Sequence, residues 1–491
     1  MDNLKARIQE TPYFDILKEI GQVAGQLGIE AYAVGGFVRD LFLRRQTTDL
    51  DFVCIGQDNG VNLAHAVSDA LGGQTAHLYP NFGTAAIRVT FSDDPEAFVV
   101  LEFVGARKES YRRDSRKPIV EAGTLQEDQQ RRDFTINAMG IHLDSARFGD
   151  VIDPFEGRAD LETGTLRTPL DPLKTFEDDP LRMIRAARFA AQLGFEIHAD
   201  TFAGMEAKAK RVSILTQERI TEELQKIMRS DKPSVGFRHL FVAGILHHLF
   251  PELVALSGIE EVNGQRHKDN FYHTLEVVDN LVELTHQRPA EDTLWLRWGA
   301  LLHDIAKPRT KRFSRGSGWT FHGHEDRGGR MVPKIFRKLK LPLDERMRYV
   351  QKLVKLHHRP VALVDDQVTD SAVRRLLFEA GNDIEDLMTL VRADITSKNP
   401  RRVRRYLKGF DLVDQKLVEV EEKDRLRNFQ PPVDGKEIME VLNLKPGRVV
   451  GTLKEAVREA ILEGEIPNEH EAAFAYLMSI KDEILARESA A

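Results

Sequence analysis

The stretch Tyr32–Ile55, YAVGGFVRDLFLRRQTTDLDFVCI, decides the fold. A β-rich run meets Gly35-Gly36, which tolerate the positive φ that other residues resist, so the segment reads as strand, glycine turn, short helix, strand. In the second strand Asp49 and Asp51 sit two apart. Strand side chains alternate faces, so both carboxylates point the same way, with apolar Leu50, Phe52 and Val53 around them. Two like charges held that close repel, and a divalent cation between them removes the conflict. A hard cation with oxygen ligands points to magnesium and phosphates. The glycine turn frees backbone N–H groups at a helix start, which suits the far end of a triphosphate, with Arg39 available for charge.

An acidic pair alone reads as a turn and an edge strand. Here GGFVRD precedes DLD by one short helix, and the combination resembles the head of the nucleotidyltransferases with a DNA-polymerase-β-like palm, the class II CCA-adding enzymes and bacterial poly(A) polymerases. That resemblance implies a template-free RNA 3′-end nucleotidyltransferase using Mg2+ in the head, with tRNA as partner and CTP and ATP as substrates.

At 491 residues the chain exceeds one core, and three or four domains are expected. With 42% hydrophobic and 30% charged residues it has a soluble globular composition. No apolar run approaches the roughly 20 residues that cross a bilayer, and MDNLKARIQETPYF lacks a signal-peptide core, so a cytoplasmic location without a membrane partner is expected. The single cysteine, Cys54, excludes internal disulfides and Cys-rich zinc modules, and its apolar strand favours packing over reactivity. A net charge of −7 gives no global basic field, so RNA must use local patches: Arg44-Arg45, Arg107 to Lys117, and Arg401 to Lys408.

The fold class expected is α+β: a head with a small mixed sheet over residues 1–150, then an all-helical neck at 151–232, an HD domain at 233–398 and a helical tail at 399–491. Before the first strand, Ile16, Ile20, Val23 and Leu27 mark an amphipathic helix covering the sheet. After a helical segment from Val61 to Leu71 come HLYPNFGTAAIRVTF and FVVLEFVGARKESY, two β-rich runs separated by SDDPEA. Glu102 lies between Leu101 and Phe103, where an acid is costly unless paired or bound to metal, and it is read as the third carboxylate of the palm. Arg107 to Thr124, rich in Arg, Ser and Gly, is expected to be a mobile loop over the site.

In RRDFTINAMGIHL the four-residue spacing of Asp133 and Asn137 places them on one helical face, with Asp133 as a candidate cap. The string resembles the RRDFTxNA motif of the class II enzymes, which implies nucleotide and ribose recognition by Arg132, Asp133 and Asn137, with Arg131 a weaker candidate. DPFEGRADLETGTLRT reads as a turn, a short helix and a strand, and resembles the family's DPxxGxxDL junction between head and neck. From Pro180 the pattern is helical, with Leu181, Ile184, Ala187, Phe189 and Leu193 as its apolar stripe. Asp179 and Arg182 are spaced to lie side by side, a carboxylate acceptor and a forked donor facing a base edge. Such a pair accepts from the amine that cytosine and adenine share, and a carbonyl in its place leaves a buried charge unpaired at about 2–5 kcal/mol. An N-cap and an ordinary salt bridge would read similarly. The phrase resembles the class II EDxxR motif, departing from it at Asp178, which stands where the family has Glu. Arg185 and Arg188 continue a basic face toward phosphate or the tRNA end. TQERITEELQKIMRS resembles the ERxxxEL motif and is taken as mainly structural.

The C-terminal half carries a second chemistry. His273, the pair His303-Asp304 after an apolar run, His322 and His324, His357-His358, and Asp394 follow in an order that resembles the HD-domain phosphohydrolases. That resemblance implies one divalent metal, of unknown identity, on His273, His303, Asp304 and Asp394, and a second on His324 with His357 or His358. Beyond Asn399 the chain reads as charged helices broken by QPPVDGKEI, LKPGRVVG and EGEIPNE, similar to the tail that grips the tRNA elbow.

The expected function is CCA addition or repair at tRNA ends by two-metal nucleotidyl transfer. Poly(A) polymerase, A-adding and CC-adding enzymes share these motifs, although a GxRF-like phrase of the polymerases is replaced here by HLYPNFGTAAIR. A different class, an HD phosphohydrolase with a nucleotide-binding regulatory head, stands as the alternative, and the sequence leaves the oligomeric state open.

Overall fold

The computed structural model describes residues 3–489 except 57, 73–75, 80–82, 92–93, 111–118, 263–264, 317, 366–368 and 425–429. Contacts divide the chain into two units, Met1–Phe250 and Pro251–Ala491.

Nine strands among the described residues organise the head of the first unit: β1 Ala31–Val34, β2 Asp49–Cys54, β3 Ala76–Tyr79, β4 Thr84–Phe91, β5 Asp94–Gly105, β6 Arg107–Ser110, β7 Ile119–Ala122, β8 Gly140–His142 and β9 Val151–Ile152, and a further short parallel pair, Thr165–Leu166 with Glu196–Ile197, lies in the neck expected to be all-helical. Seven of them form one sheet in the order β3-β4-β5-β2-β1-β8-β9. Within this sheet, among the described residues, only β2 and β5 pair parallel, which makes the sheet mixed. Along β2 burial alternates, with Leu50 and Phe52 buried and Asp49 and Asp51 more open. Register places Phe52 opposite Phe103, and their rings stack 4.9 Å apart on the core side. The helices Phe14–Leu27 and Asn59–Ala70 pack together on the head. A Cβ at Gly60 would meet the backbone of Val104 and Gly105 at 2.8 Å, so glycine is what lets Asn59–Ala70 lie directly on β5. Cys54 is fully buried, and burial pushes its thiol up to about 12, in keeping with packing.

Several expectations are corrected. Leu27 is 49% exposed, so the stripe facing the core ends at Val23 and Ala24. DPEA belongs to β5, which starts at Asp94. Arg107 to Thr124 is in part an antiparallel hairpin, β6 with β7, while the intervening 111–118, which hold most of the basic run ending at Lys117, lie outside the described residues. RRDFTINAMG is not an α-helix. The helix Leu125–Gln130 ends before it, and only a single 3-10 turn, Thr135–Asn137, follows. Thr135 N–H donates instead to Arg167 O and its hydroxyl to Asp160. Those tertiary bonds outcompete the helical ladder, and they tie the head to the DPFEG junction.

The remainder of the first unit is mainly helical, with Pro172–Asp178, Leu181–Leu193, Ala199–Lys208, Gln217–Met228 and Pro233–Val242 as its main elements. The second unit is a helical assembly containing Asn270–Leu284, Ala290–Leu302, His324–Lys338, Glu345–Leu356, His358–Asp365, Ile384–Ala393 and Pro400–Asp424. No helix among the described residues is long and apolar enough to cross a membrane.

Candidate active site and metal centre

Strand register brings the three acids together. Asp49 and Asp51 share a face of β2, and the parallel pairing sets Glu102 of β5 directly beside Asp51. Burial pushes the Asp51 carboxyl up, Asp49 and Asp128 add to this, and Arg132 and Arg185 oppose it. Glu102 is pushed up by burial and by Asp51 and Asp49. Among the described residues no ion pair neutralises any of the three, and carboxylates in register on adjacent strands are the oxygen donors a hard divalent cation takes.

Gly35 forms the rim of this cluster with φ 77°, and a Cβ there would lie 3.0 Å from Asp51 Oδ2 and 2.9 Å from an Arg132 nitrogen. The helix Gly36–Leu43 follows, and Arg39 N–H, bonding to Gly35 O, is its first amide taken up, so the amides of Gly36, Phe37 and Val38 precede the helical ladder.

A chain of polar contacts runs behind the acids. Arg39 donates to Asn137 Oδ1 at 2.8 Å while forking onto Asp40, and Asn137 donates to Asp133 Oδ1 at 3.0 Å. Asp133 in turn accepts from Arg185 at 2.7 Å. Burial resists charge on Asp133, but Arg185 and Asn137 outweigh it and hold the carboxyl far below the usual range. Asp133 and Asn137 thus meet as expected, through a turn instead of a helical face. Sequence reasoning missed Asp128, whose side chain is fully buried and binds both Arg131 and Arg132. Its signal was legible: an acid three and four residues before paired arginines at a helix end.

The base-reading pair is placed differently from the expectation. Asp179 Oδ1 accepts from Leu181 N–H and so starts the helix Leu181–Leu193, while Arg182 donates to Thr175 O and Arg131 O. The two side chains do not bond to each other, because the helix start claims the carboxylate. Asp178 is pushed up by burial, and Arg182 and Lys174 oppose the shift. Arg188 does not reach toward phosphate. It is 8% exposed, lies 4.0 Å over the Phe189 ring and pairs with buried Glu223 at 2.8 Å, with burial lowering it to about 10. Glu223 explains the structural character of the ERITEEL helix.

In the second unit helix ends converge. His273 sits inside Asn270–Leu284, His303 caps Ala290–Leu302, His324 opens His324–Lys338, His357 caps Glu345–Leu356 and Asp394 caps Ile384–Ala393. Nδ1 of His303, His324 and His357 lies 2.7, 2.9 and 2.8 Å from the carbonyls of Ala300, Phe321 and Val354. A carbonyl only accepts, so each Nδ1 carries the proton and each Nε2 turns a lone pair inward. His273 Nδ1 lies 2.9 Å from Thr396 Oγ1, a hydroxyl that can donate or accept. Nε2 of His324 and His357 consequently face each other at 3.2 Å, a contact that calls for a cation.

Two ligand groups result, His273 with His303 and Asp394, and Asp304 with His324 and His357. Separations of 3.0 Å from His273 to Asp394 and 3.2 Å from His303 to Asp304 match the about 3 Å between neighbouring ligands of one ion. Asp304 corrects the expected partition. Its Oδ2 faces His303 and His273 while its Oδ1 lies 3.3 Å from His324 and 3.9 Å from His357, so it spans both groups. Buried His303 Nε2 has no hydrogen-bond partner of good geometry, and neither has Asp304 Oδ2, although Lys307 Nζ stands 2.5 Å from it. Burial disfavours charge on His303, yet Asp304 and Asp394 raise it to about 10, so without metal its Nε2 holds a proton, and a bound cation would supply that positive charge in the proton's place. The residues fit divalent metal. His358 is exposed and outside both groups, as is His322. The choice between His357 and His358 falls to His357 because the helix end turns that ring inward.

A carboxylate trio beside a glycine turn on a mixed sheet, joined to helices that carry a separate histidine–aspartate centre, defines a nucleotidyltransferase with an HD module. The chain matches the poly(A) polymerase head domain over 31–167, the probable RNA and SrmB-binding site of polymerase A over 194–256 and the HD domain over 270–394. It is 30% identical to the A-adding tRNA nucleotidyltransferase of Deinococcus radiodurans over 90% of this chain and 94% of that one. It is 34% identical to the multifunctional CCA protein of Pseudomonas paraeruginosa over 68% of this chain and 77% of that one. The fold is similar to the Thermotoga maritima CCA-adding enzyme complexed with tRNA, with a TM-score of 0.61 at 21% identity over 99% and 98% of the two chains. The chain belongs to the tRNA nucleotidyltransferase and poly(A) polymerase family.

Proposed function

We propose that this chain is a template-independent nucleotidyltransferase that adds or repairs the CCA end of tRNA from CTP and ATP, in the cytoplasm where tRNA matures. The observation that carries it is the trio Asp49, Asp51 and Glu102 set by strand register beside Gly35. Asp49 and Asp51 would hold Mg2+, which supplies charge to the triphosphate and activates the primer hydroxyl. The amides of Gly36 to Val38, with Arg39, receive the β- and γ-phosphates. In the transfer the RNA 3′-oxygen bonds to the α-phosphorus, the α–β bridging P–O bond breaks, pyrophosphate departs, and the hydroxyl proton passes to Glu102, which burial and its acidic neighbours raise above an ordinary carboxylate. Arg132, Asn137 and Asp133 position the sugar and phosphates. Asp179 and Arg182 read the base once its edge draws the carboxylate from its helix start, and Arg185 sits within electrostatic reach of both Asp51 and Asp179.

The experiment supplies tRNA lacking CCA with labelled CTP and ATP, singly and together, and maps the ends. Ordered addition of C, C and A supports the reading, and an open-ended A tract overturns it. A-only addition is the second reading, favoured by the near full-length similarity to an A-adding enzyme.

The converging Nε2 atoms support a second activity, phosphoester hydrolysis at the HD centre. His273, His303, Asp304, His324, His357 and Asp394 would hold divalent metal, which supplies an activated water. Phosphate release from esters on adding divalent ions, lost in His303→Ala, tests it.

A further inference from the structure

In the strand order β4-β5-β2-β1 the glycine turn that receives the triphosphate follows β1, whereas Glu102, which takes the primer proton, stands on β5. An RNA strand that brings its hydroxyl to Glu102 without crossing the triphosphate therefore comes over β5 and β4.

That side of the sheet carries a surface of matching chemistry. Register sets Arg88 of β4 opposite Val100, and Val100 opposite Asp49, so Arg88 faces the same way as the acids at roughly 10 Å from Asp49. Phe98 shares that face, four residues before Glu102 and roughly 13 Å from it. Its ring is 37% exposed, and the Arg88 guanidinium sits 3.9 Å over it. An arginine stacked on a partly open ring is a platform to which bases of any identity can add.

A cavity of 890 Å³ continues from Phe98. Thr48 lines it, and the Thr48 hydroxyl lies 3.4 Å from Asp49 Oδ2, so the cavity adjoins the acids. Arg7, Arg44 and Arg45 give it charge, and Tyr13 and Phe91 give it apolar surface. Of its two acids, Glu10 and Asp40, the second is already held by the Arg39 fork. Arg7 and Arg45 donate to backbone carbonyls, of Leu41, Phe42 and Gln192. Among the described residues none of Arg7, Arg44, Arg45 and Arg88 is ion-paired. Four guanidiniums without a carboxylate, on a chain of net charge −7, suit a polyanionic strand.

We infer that Arg88, Phe98 and the cavity reaching to Arg44 seat the RNA immediately upstream of the hydroxyl being extended, which rests on the nucleotidyltransferase reading above. Phe98 stacks a base, and the arginines take phosphates, so the strand is held without regard to its sequence.

Primer extension on the full chain varies tRNA lacking CCA at saturating CTP, then CTP at saturating tRNA. Phe98→Leu should raise KM for the tRNA about tenfold and leave KM for CTP within about twofold, while Phe98→Tyr stays close to the unaltered chain. In fluorescence anisotropy without nucleotide, Arg44→Ala and Arg88→Ala should each weaken tRNA binding severalfold and flatten its log–log salt dependence by about one. All three side chains are exposed, so the unfolding midpoints should not move. An unchanged KM for tRNA in Phe98→Leu, with unchanged salt slopes in both arginine variants, overturns the inference. A rise in KM for CTP alone also overturns it, since the cavity would then seat a free nucleotide. These binding losses in a chain that incorporates nothing would support the RNA seat and sink the nucleotidyltransferase reading instead.

Discussion

Asp51 and Asp133 lie in one neighbourhood and are tuned in opposite directions. Burial and like charges push Asp51 up, so its ionised form is costly until a cation arrives. Asp51→Asn should lower nucleotide incorporation about a thousandfold or more while leaving the unfolding midpoint unchanged or slightly higher, checked by primer extension and thermal unfolding. A large loss of stability would show that Asp51 is a structural residue. Asp133 is held low by Arg185 and Asn137 despite burial. A carboxyl depressed in the folded state contributes stability that is complete above its unfolded pKa, near 3.8, and is lost as pH falls toward the folded value. The first unit should therefore weaken steeply below about pH 4, and Asp133→Asn should flatten that acid limb. At neutral pH the same change strands the Arg185 guanidinium and should cost about 3 kcal/mol, measured by denaturant unfolding.

Among elements, β2 was legible because strand periodicity fixes which side an acid takes, and the parallel partner β5 carried its own acid in phase. RRDFTIN was not legible as a turn, since local spacing favoured a helix and the deciding bonds come from Arg167 and Asp160, far along the chain. Arg188 was misjudged for a related reason: a helix pattern shows which residues share a face but not that Glu223, on another helix, has taken the guanidinium. The Asp179–Arg182 pairing failed because helix capping is a stronger local claim on a carboxylate than a side chain three residues on. The glycine turn was legible and invites a test. Gly35→Ala adds a methyl at φ 77°, about 1 kcal/mol of backbone strain, 3.0 Å from Asp51 Oδ2. Incorporation should fall about tenfold or more, with KM for the nucleoside triphosphate rising, while the fold survives. An alanine variant with unchanged kinetics would remove the turn from the site.

Over the whole molecule, each unit has its own core and its own acid-rich centre, and the sequence showed this through two unrelated residue orders, GGFVRD with DLD and the spaced histidines. What it could not show was that Asp304 spans both HD groups, because that depends on where the helices bearing His303, His324 and His357 begin and end. The division makes a thermodynamic prediction. A ligand that binds only one folded unit stabilises that unit, by about 2.7 kcal/mol at a hundred times its Kd. The chain should unfold in two transitions, and a divalent ion bound at the HD centre should raise only the transition of Pro251–Ala491. Asp304→Asn replaces one of the two carboxylate oxygens with a non-ligating NH2 and removes the charge that both groups share, so it should abolish that metal-dependent rise and phosphate release together. Nucleotide addition should stay within about twofold of the unaltered chain, because Asp49, Asp51 and Glu102 belong to the other unit. Calorimetric scans with and without the ion, beside primer extension on the same samples, separate the outcomes. If Asp304→Asn instead depressed addition in parallel with phosphate release, the two centres would be one coupled machine.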